Sequence, residues 1–252
     1  MVRLRSPQVV CYNLIIHTMI GKISDKREAA KDTLQITFEV EEDFTFQSGQ
    51  FIFITLDDLK YPDERGKKRH FSINNSPNQK GIIIITIRMR DTGFKKTLKE
   101  LPLGTEVQLG PIAGNFVLPS DQSKPLVLIA GGIGITPFIS MLRFIKEKNL
   151  KYQITLVYSN RDKSSSIFLQ ELQALSNSLP NFKLILTMTE DNGWKGEKRK
   201  IDSVFIKDYF PEVNQQHYMV VGPPPMVEAV EKALSEAGVE KSNIEIENFT
   251  GY

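Results

Sequence analysis

The sequence predicts two successive folding units: a small six-stranded antiparallel β-barrel or sandwich over residues 1–120, then a five-stranded parallel α/β sheet over residues 121–252. Three observations point there. Before residue 119 apolar side chains mostly alternate with polar ones, and no long helical stripe interrupts them. After residue 125, solid apolar runs alternate with segments of helical period. Between the two, Pro119-Ser120-Asp121-Gln122-Ser123-Lys124-Pro125 is polar and bounded by proline, the composition of a linker.

In the first unit, the run from Val9 to Ile16 is apolar enough for a first strand, or belongs to a disordered extension. The basic start Met1-Val2-Arg3-Leu4-Arg5 invites comparison with a signal peptide. Gln8, Tyr12 and Asn13 dilute the apolar run, however, and no small-residue cleavage pattern follows. Thr33 to Val40 places Leu34, Ile36, Phe38 and Val40 on one face, the pattern of a half-buried strand. Gln50–Leu56, the segment through Arg69–Ser72, Ile82–Arg90 and Glu106–Leu109 read as the remaining strands. In the second unit, strands are expected at 125–130, 152–158, 182–188, 217–221 and 244–246, with helices at 137–148, 167–178, 201–209 and 224–237 between them.

Composition narrows the function. A net charge of +2 over 252 residues offers no single-sign field for nucleic acid. One cysteine, Cys11, permits neither an internal disulfide nor a four-thiolate cluster, and fits a reduced, cytoplasmic setting. His17, His70 and His217 are scattered, so no metal site is expected. No apolar run approaches a membrane span.

Chemistry concentrates in three motifs. Lys68-Arg69-His70-Phe71-Ser72 puts Arg69 and Phe71 on one face of a strand and Ser72 on the other, suited to a ligand that is anionic, flat and hydrogen-bonding. Gly131-Gly132-Ile133-Gly134-Ile135-Thr136-Pro137 lies between the first strand and first helix of the second unit, where open α/β sheets bind nucleotides. Its glycines admit a pyrophosphate to the helix N-terminus. Thr136 is expected as N-cap and Pro137 in the first turn, where the dinucleotide fingerprint has a third glycine. The third motif is Val220-Val221-Gly222-Pro223-Pro224-Pro225-Met226.

In this order the motifs resemble the ferredoxin–NADP⁺ reductase family of two-domain flavoenzymes, over roughly residues 15 to 252. The resemblance implies FAD on the β domain. Arg69 would hold its pyrophosphate, Phe71 would lie against the isoalloxazine or ribityl chain, and Ser72 would hydrogen-bond near flavin N5, with His70 in the same run. A second FAD segment would comprise Ile87, Arg88, Gly93, Lys95, Lys96 and Thr97. Family members usually carry a small hydroxyl residue where Lys95 and Lys96 stand, so helix-start amides and lysine charge would act there instead. The resemblance also assigns Gly131, Gly132, Gly134, Thr136, Gly222, Pro223, Pro224 and Met226 to the nicotinamide nucleotide. Val221 stands where many members have cysteine. At the tail, Tyr252 or Phe249 would shield the isoalloxazine, and Glu247 would relay a proton.

NADPH and NADH are both open at this stage. Ser159 and Arg161 end the second strand of the α/β unit and suit a 2′-phosphate, whereas Glu190 and Asp191 would repel one. The resemblance thus implies an oxidoreductase that moves a hydride from NAD(P)H to flavin N5 and hands electrons to a separate acceptor: a ferredoxin, an oxygenase component, a small molecule or oxygen. A reductase of free flavins and a non-catalytic nucleotide-binding module are the alternatives.

Overall fold

The computed structural model describes residues 18–249. The strand expected at 9–16 and the role given to Tyr252 lie outside those residues.

The first sheet contains β1 (Met19–Ala30), β2 (Thr33–Glu39), β3 (Phe51–Thr55), β4 (Lys68–Ser72), β5 (Ile82–Arg88) and β6 (Glu106–Ala113), with helix α1 (Gly93–Glu100) between the last two. All pairings are antiparallel, in the order β4-β3-β6-β1-β2-β5. The ends meet through an Ile73–Ile85 bridge and a 2.9 Å bond from Asn74 N to Ile84 O, which rolls the sheet into a barrel. Inward Ile23, Ile36, Phe38, Ile52, Ile54, Ile83, Ile85 and Leu109 fill it, and Phe94 and Leu98 of α1 plug one end. β1 supplies the first described strand. Five of its twelve residues are charged, and of its side chains only that of Ile23 is buried against the barrel core.

The second sheet contains β7 (Leu126–Gly131), β8 (Ile154–Asn160), β9 (Phe182–Met188), β10 (His217–Gly222) and β11 (Ile244–Asn248), all parallel, in the order β11-β10-β7-β8-β9. Helices α2 (Ile135–Lys148) and α3 (Leu169–Ser178) cover one face; α4 (Ser203–Tyr209) and α5 (Pro224–Ala237) cover the other. Alternate residues of β7 feed both cores: Leu126, Leu128 and Ala130 one, Val127 and Ile129 the other. That explains its unbroken apolar run. The chain builds outward from β7 through β8 to β9, then returns to add β10 on the other side. The order therefore reverses between β7 and β10, which opens a crevice at their C-terminal ends.

One expected cap differs. α2 begins at Ile135 with Gly134 as N-cap, so Thr136 sits inside the first turn, and its hydroxyl donates back to Ile133 O at 3.0 Å. Gly132–Gly134 form a 3₁₀ turn that already closes the backbone bonds a capping side chain would serve. α5 follows expectation, with Pro224 at its first position and Gly238 left-handed at its end.

The two sheets are tied along α2. Ser140 Oγ donates to Asn75 O at 2.7 Å, and Arg143 donates to Asn74 O at 2.6 Å while gripping Glu171 of α3 through two 2.7 Å bonds. Glu147 accepts from Ser76 and Asn78. On the other flank Arg88 donates to Ser165 O at 2.9 Å. Asn74-Asn75-Ser76 is buried between the units.

Candidate functional site

β4 and β5 present their ends to the start of α2, and a cleft forms there. It is lined by Arg69, His70, Phe71 and Ser72 from β4, Ile87 and Arg88 from β5, Lys95 from α1, Thr136 from α2, and Phe249 after β11. Nine of the predicted residues are thereby brought together. Arg65, Thr86 and Ile133 complete the lining and were missed. Thr86 accepts a hydrogen bond from the Asn74 side chain, so it also secures the turn that follows β4.

Arg69 is held in place by neighbouring groups of the protein. Its guanidinium pairs with Asp63 and donates to the carbonyls of Arg65 and Lys68 at 2.7 Å. Asp63 also accepts from Phe94 N at 2.9 Å, at the start of α1, and from Arg65 N at 3.0 Å. Burial alone would raise the Asp63 carboxyl. The two backbone donors and Arg69 outweigh it and hold the group below its ordinary range. The Arg69 guanidinium also lies 5.3 Å from the centre of the Phe94 ring, and Phe71 lies 6.1 Å from that ring.

On α1, successive lysines part ways. Lys95 turns inward, 5% exposed, and donates to Arg88 O at 2.9 Å. Burial, then Arg90, Arg65 and Arg69, push its pKa down to about 8. Lys96 turns out to solvent and pairs with Asp91. Thr97 is buried and accepts from Lys60 N at 3.0 Å, away from the cleft. Gly93 packs against the Tyr61 and Pro62 carbonyls, each within 2.3 Å of where a Cβ would stand. Of this segment only Lys95 joins Ile87 and Arg88 in the lining; Gly93 and Thr97 set the seat of α1. His70 sits on the opposite face of β4 from Arg69, against the Phe51 ring at 4.9 Å, and burial lowers its pKa.

The remaining residues lie at the C-terminal ends of the parallel strands, most of them where the sheet's order reverses. Gly131 ends β7 and Gly222 ends β10; a Cβ on Gly222 would stand 3.4 Å from Gly131 Cα. A Cβ on Gly134 would stand 2.5 Å from Val221 O, so only glycine lets α2 start this close to β10. Gly132 is left-handed, at φ +53°, with open space around it. Met226 packs over Gly131 and Gly222, and Pro223 and Pro224 start α5. Ser159 pairs with Gly131, and the exposed Arg161 lies beyond it near Glu190.

Glu247 faces Val221 across the β10–β11 pairing, and Phe249 N donates to Gly222 O at 3.0 Å. Glu247 Oε2 is buried without a hydrogen-bond partner, and burial pushes the carboxyl up to about 7. Glu247 thus brings a carboxyl with one unpartnered buried oxygen to the ends of β10 and β11.

The cleft suits a flavin dinucleotide. Arg65, Arg69, Arg88 and Lys95 offer positive charge for a pyrophosphate, Phe71 and Phe249 offer flat apolar surface, and Ser72 and Thr136 offer hydroxyls.

Comparison with known proteins agrees. The oxidoreductase FAD-binding domain matches residues 21–117, and the oxidoreductase NAD-binding domain matches residues 128–232. The chain is 28% identical over 215 residues to Flavohemoprotein A of Dictyostelium discoideum, covering 81% of this chain and 53% of that protein. It is 29% identical over 237 residues to NADPH oxidoreductase of Mycobacterium tuberculosis, covering 91% and 59%. With terephthalate 1,2-dioxygenase reductase component 1 of Comamonas sp it shares 24% identity over 234 residues, 91% of this chain and 67% of that one. It thus spans little more than half the length of the first two. Among solved structures, the Amycolatopsis cytochrome P450 reductase GcoB superposes with a TM-score of 0.78 at 21% identity, over 93% of this chain and 70% of that one. The cytochrome b5 reductase domain of Ulva prolifera nitrate reductase gives 0.79 at 20%, over 92% and 97%. These two likenesses show the fold.

Proposed function

Because the chain belongs to the oxidoreductases that join an FAD-binding to an NAD-binding domain, we propose that it takes electrons from NADH or NADPH and passes them to a separate acceptor, a ferredoxin, an oxygenase component or a small molecule. The observation that carries this reading is the junction itself. The cationic, aromatic-walled cleft of the barrel opens beside the C-terminal ends of β7 and β10, and Phe249 and Thr136 belong to both. FAD, when bound, supplies the N5 atom that accepts the nicotinamide hydride.

The protein's own part is binding, orientation and proton placement. Arg69 and Lys95, with Arg88, would meet the pyrophosphate, and Asp63 fixes the direction of the Arg69 guanidinium. Phe71 walls one side of the ring system, and Ser72 donates a hydrogen bond near N5. Gly131 and Gly222 let the nucleotide lie against bare backbone, and Gly134 keeps the N-terminus of α2 close to it. Phe249 shields the cleft from water. Glu247, its carboxyl pushed up to about 7 by burial, would hold or release a proton at that end of the sheet. Residues 1–120 serve the flavin in this scheme and 121–252 the nicotinamide nucleotide. The single cysteine supports a cytoplasmic setting. Among the described residues, no helix is long and apolar enough to cross a membrane.

The test is an anaerobic titration of the purified protein with each coenzyme, following flavin absorbance near about 450 nm. Bleaching by either coenzyme is the expected result. A yellow protein that neither bleaches overturns the proposal; a colourless one that reduces added flavin with NAD(P)H makes it a free-flavin reductase.

A further inference from the structure

The strand next to the glycine turn ends beside the adenosine ribose in sheets of this kind. Here that strand is β8, whose Ser159 pairs with Gly131. The loop after β9 folds back onto the same end. Thr189 N donates to Asn160 O at 2.9 Å and Glu190 N to Arg161 O at 2.8 Å. These backbone bonds bring Glu190 alongside Arg161, with Oε1 3.9 Å from Nε. Asp191 and Asp162 flank the pair but are engaged locally. Asp191 accepts from Gly193 N at 3.0 Å, and Asp162 accepts from Ser164 Oγ at 2.7 Å and Ser165 N at 2.9 Å. Glu190 alone of the three has its carboxylate directed at the cation.

We propose that Glu190 makes this site selective for NADH over NADPH, by standing beside the guanidinium a 2′-phosphate would need and setting a like charge next to that phosphate. The inference rests on the reading of residues 121–252 as the nicotinamide-nucleotide site. A 2′-hydroxyl, by contrast, can donate to a carboxylate. Arg161 and Glu190 are 77% and 66% exposed, so the pair adds little to stability. Its effect falls on the ligand. A carboxylate a few ångströms from a dianionic phosphate at a wet surface disfavours it by about tenfold, and salt weakens that discrimination.

The kinetic test compares kcat/KM for NADH and NADPH in the full chain, in Glu190→Gln and in the distant control Glu240→Gln. The expected result is an NADH preference of about tenfold at low salt that shrinks as salt is added, narrows by about fivefold or more in Glu190→Gln, and is kept in the control. Wild-type preference for NADPH, or a ratio in Glu190→Gln within about twofold of wild type, overturns the proposal. A binding test stands apart from turnover: calorimetry with adenosine 5′-monophosphate and adenosine 2′,5′-bisphosphate. Tighter binding of the bisphosphate by the wild type refutes selectivity even if the protein reduces no flavin. Failure of both nucleotides to bind refutes the placement of the site itself.

Discussion

Replacing Lys95 with methionine is expected to stabilise the flavin-free protein and weaken its hold on FAD, two effects of opposite sign from one ammonium. The side chain is 5% exposed, and its pKa falls from 10.5 to about 8, chiefly through burial. That difference corresponds to about 3 kcal/mol spent on keeping the group charged in the folded chain below pH 8. Methionine removes the charge but strands the Arg88 carbonyl that Lys95 now serves, which returns about 1–2 kcal/mol. The net gain at pH 7 is about 1–2 kcal/mol, a rise in Tm of about 2–8 °C for a chain of this size. The pH dependence follows in sign. The folded pKa lies below the unfolded one, so the unfolded chain binds the extra proton between pH 8 and 10.5. Wild-type stability without FAD therefore rises with pH through that window, and the variant lacks this rise. FAD reverses the sign, because a pyrophosphate beside Lys95 favours the ammonium. Wild-type FAD affinity should decline as pH climbs past 8, whereas the variant should bind about 10- to 100-fold more weakly at pH 7, with no such decline. Thermal melts of the flavin-free protein and fluorescence titrations with FAD at pH 7 and 9 measure both. A variant that binds FAD as tightly as wild type would refute the role given to this lysine.

Glu247→Gln should flatten a different slope. The folded carboxyl titrates near 7 against an ordinary 4.5, so the folded chain binds the extra proton between those values and wild-type stability falls as pH rises through them; denaturant melts at pH 5 and 8 would show the variant losing less. Gly134→Ala should lower stability by about 2 kcal/mol or more, because its Cβ meets Val221 O at 2.5 Å and backbone must move. Gly132→Ala, with open space but a left-handed backbone, should cost only about 1 kcal/mol, and equal melting temperatures for the two would contradict the close approach of α2 to β10. Arg143→Ala removes the tie between α2, Glu171 and Asn74 O and should cost about 2–4 kcal/mol in chemical denaturation; a loss below about 0.5 kcal/mol would mean the units do not depend on it.

What could be read in advance, and what could not, follows from where the information resides. β7 reads directly because a strand buried on both faces needs apolar residues throughout, and α5 because Pro224 and Gly238 mark its ends. β1 gave no such signal. Its sequence MIGKISDKREAA buries one large side chain against the core, and its place between β6 and β2 comes from backbone pairing that composition does not encode. The same division runs through the cleft. Arg69, Phe71 and Ser72 announce themselves as a motif on one strand. Asp63 does not, since its value lies in reaching Phe94 N and Arg69 at once, a meeting made only when the loop before β4 folds over α1. Lys95, Lys96 and Thr97 were indistinguishable as three polar residues after a glycine. One helical step of about 100° separates each from the next, so α1's docking through Phe94 and Leu98 turns Lys95 to the cleft, Lys96 to water and Thr97 to the Lys60 backbone. The residue types a pyrophosphate would accept were visible in the sequence; which of them line the cleft was decided by how one short helix seats in the end of a barrel.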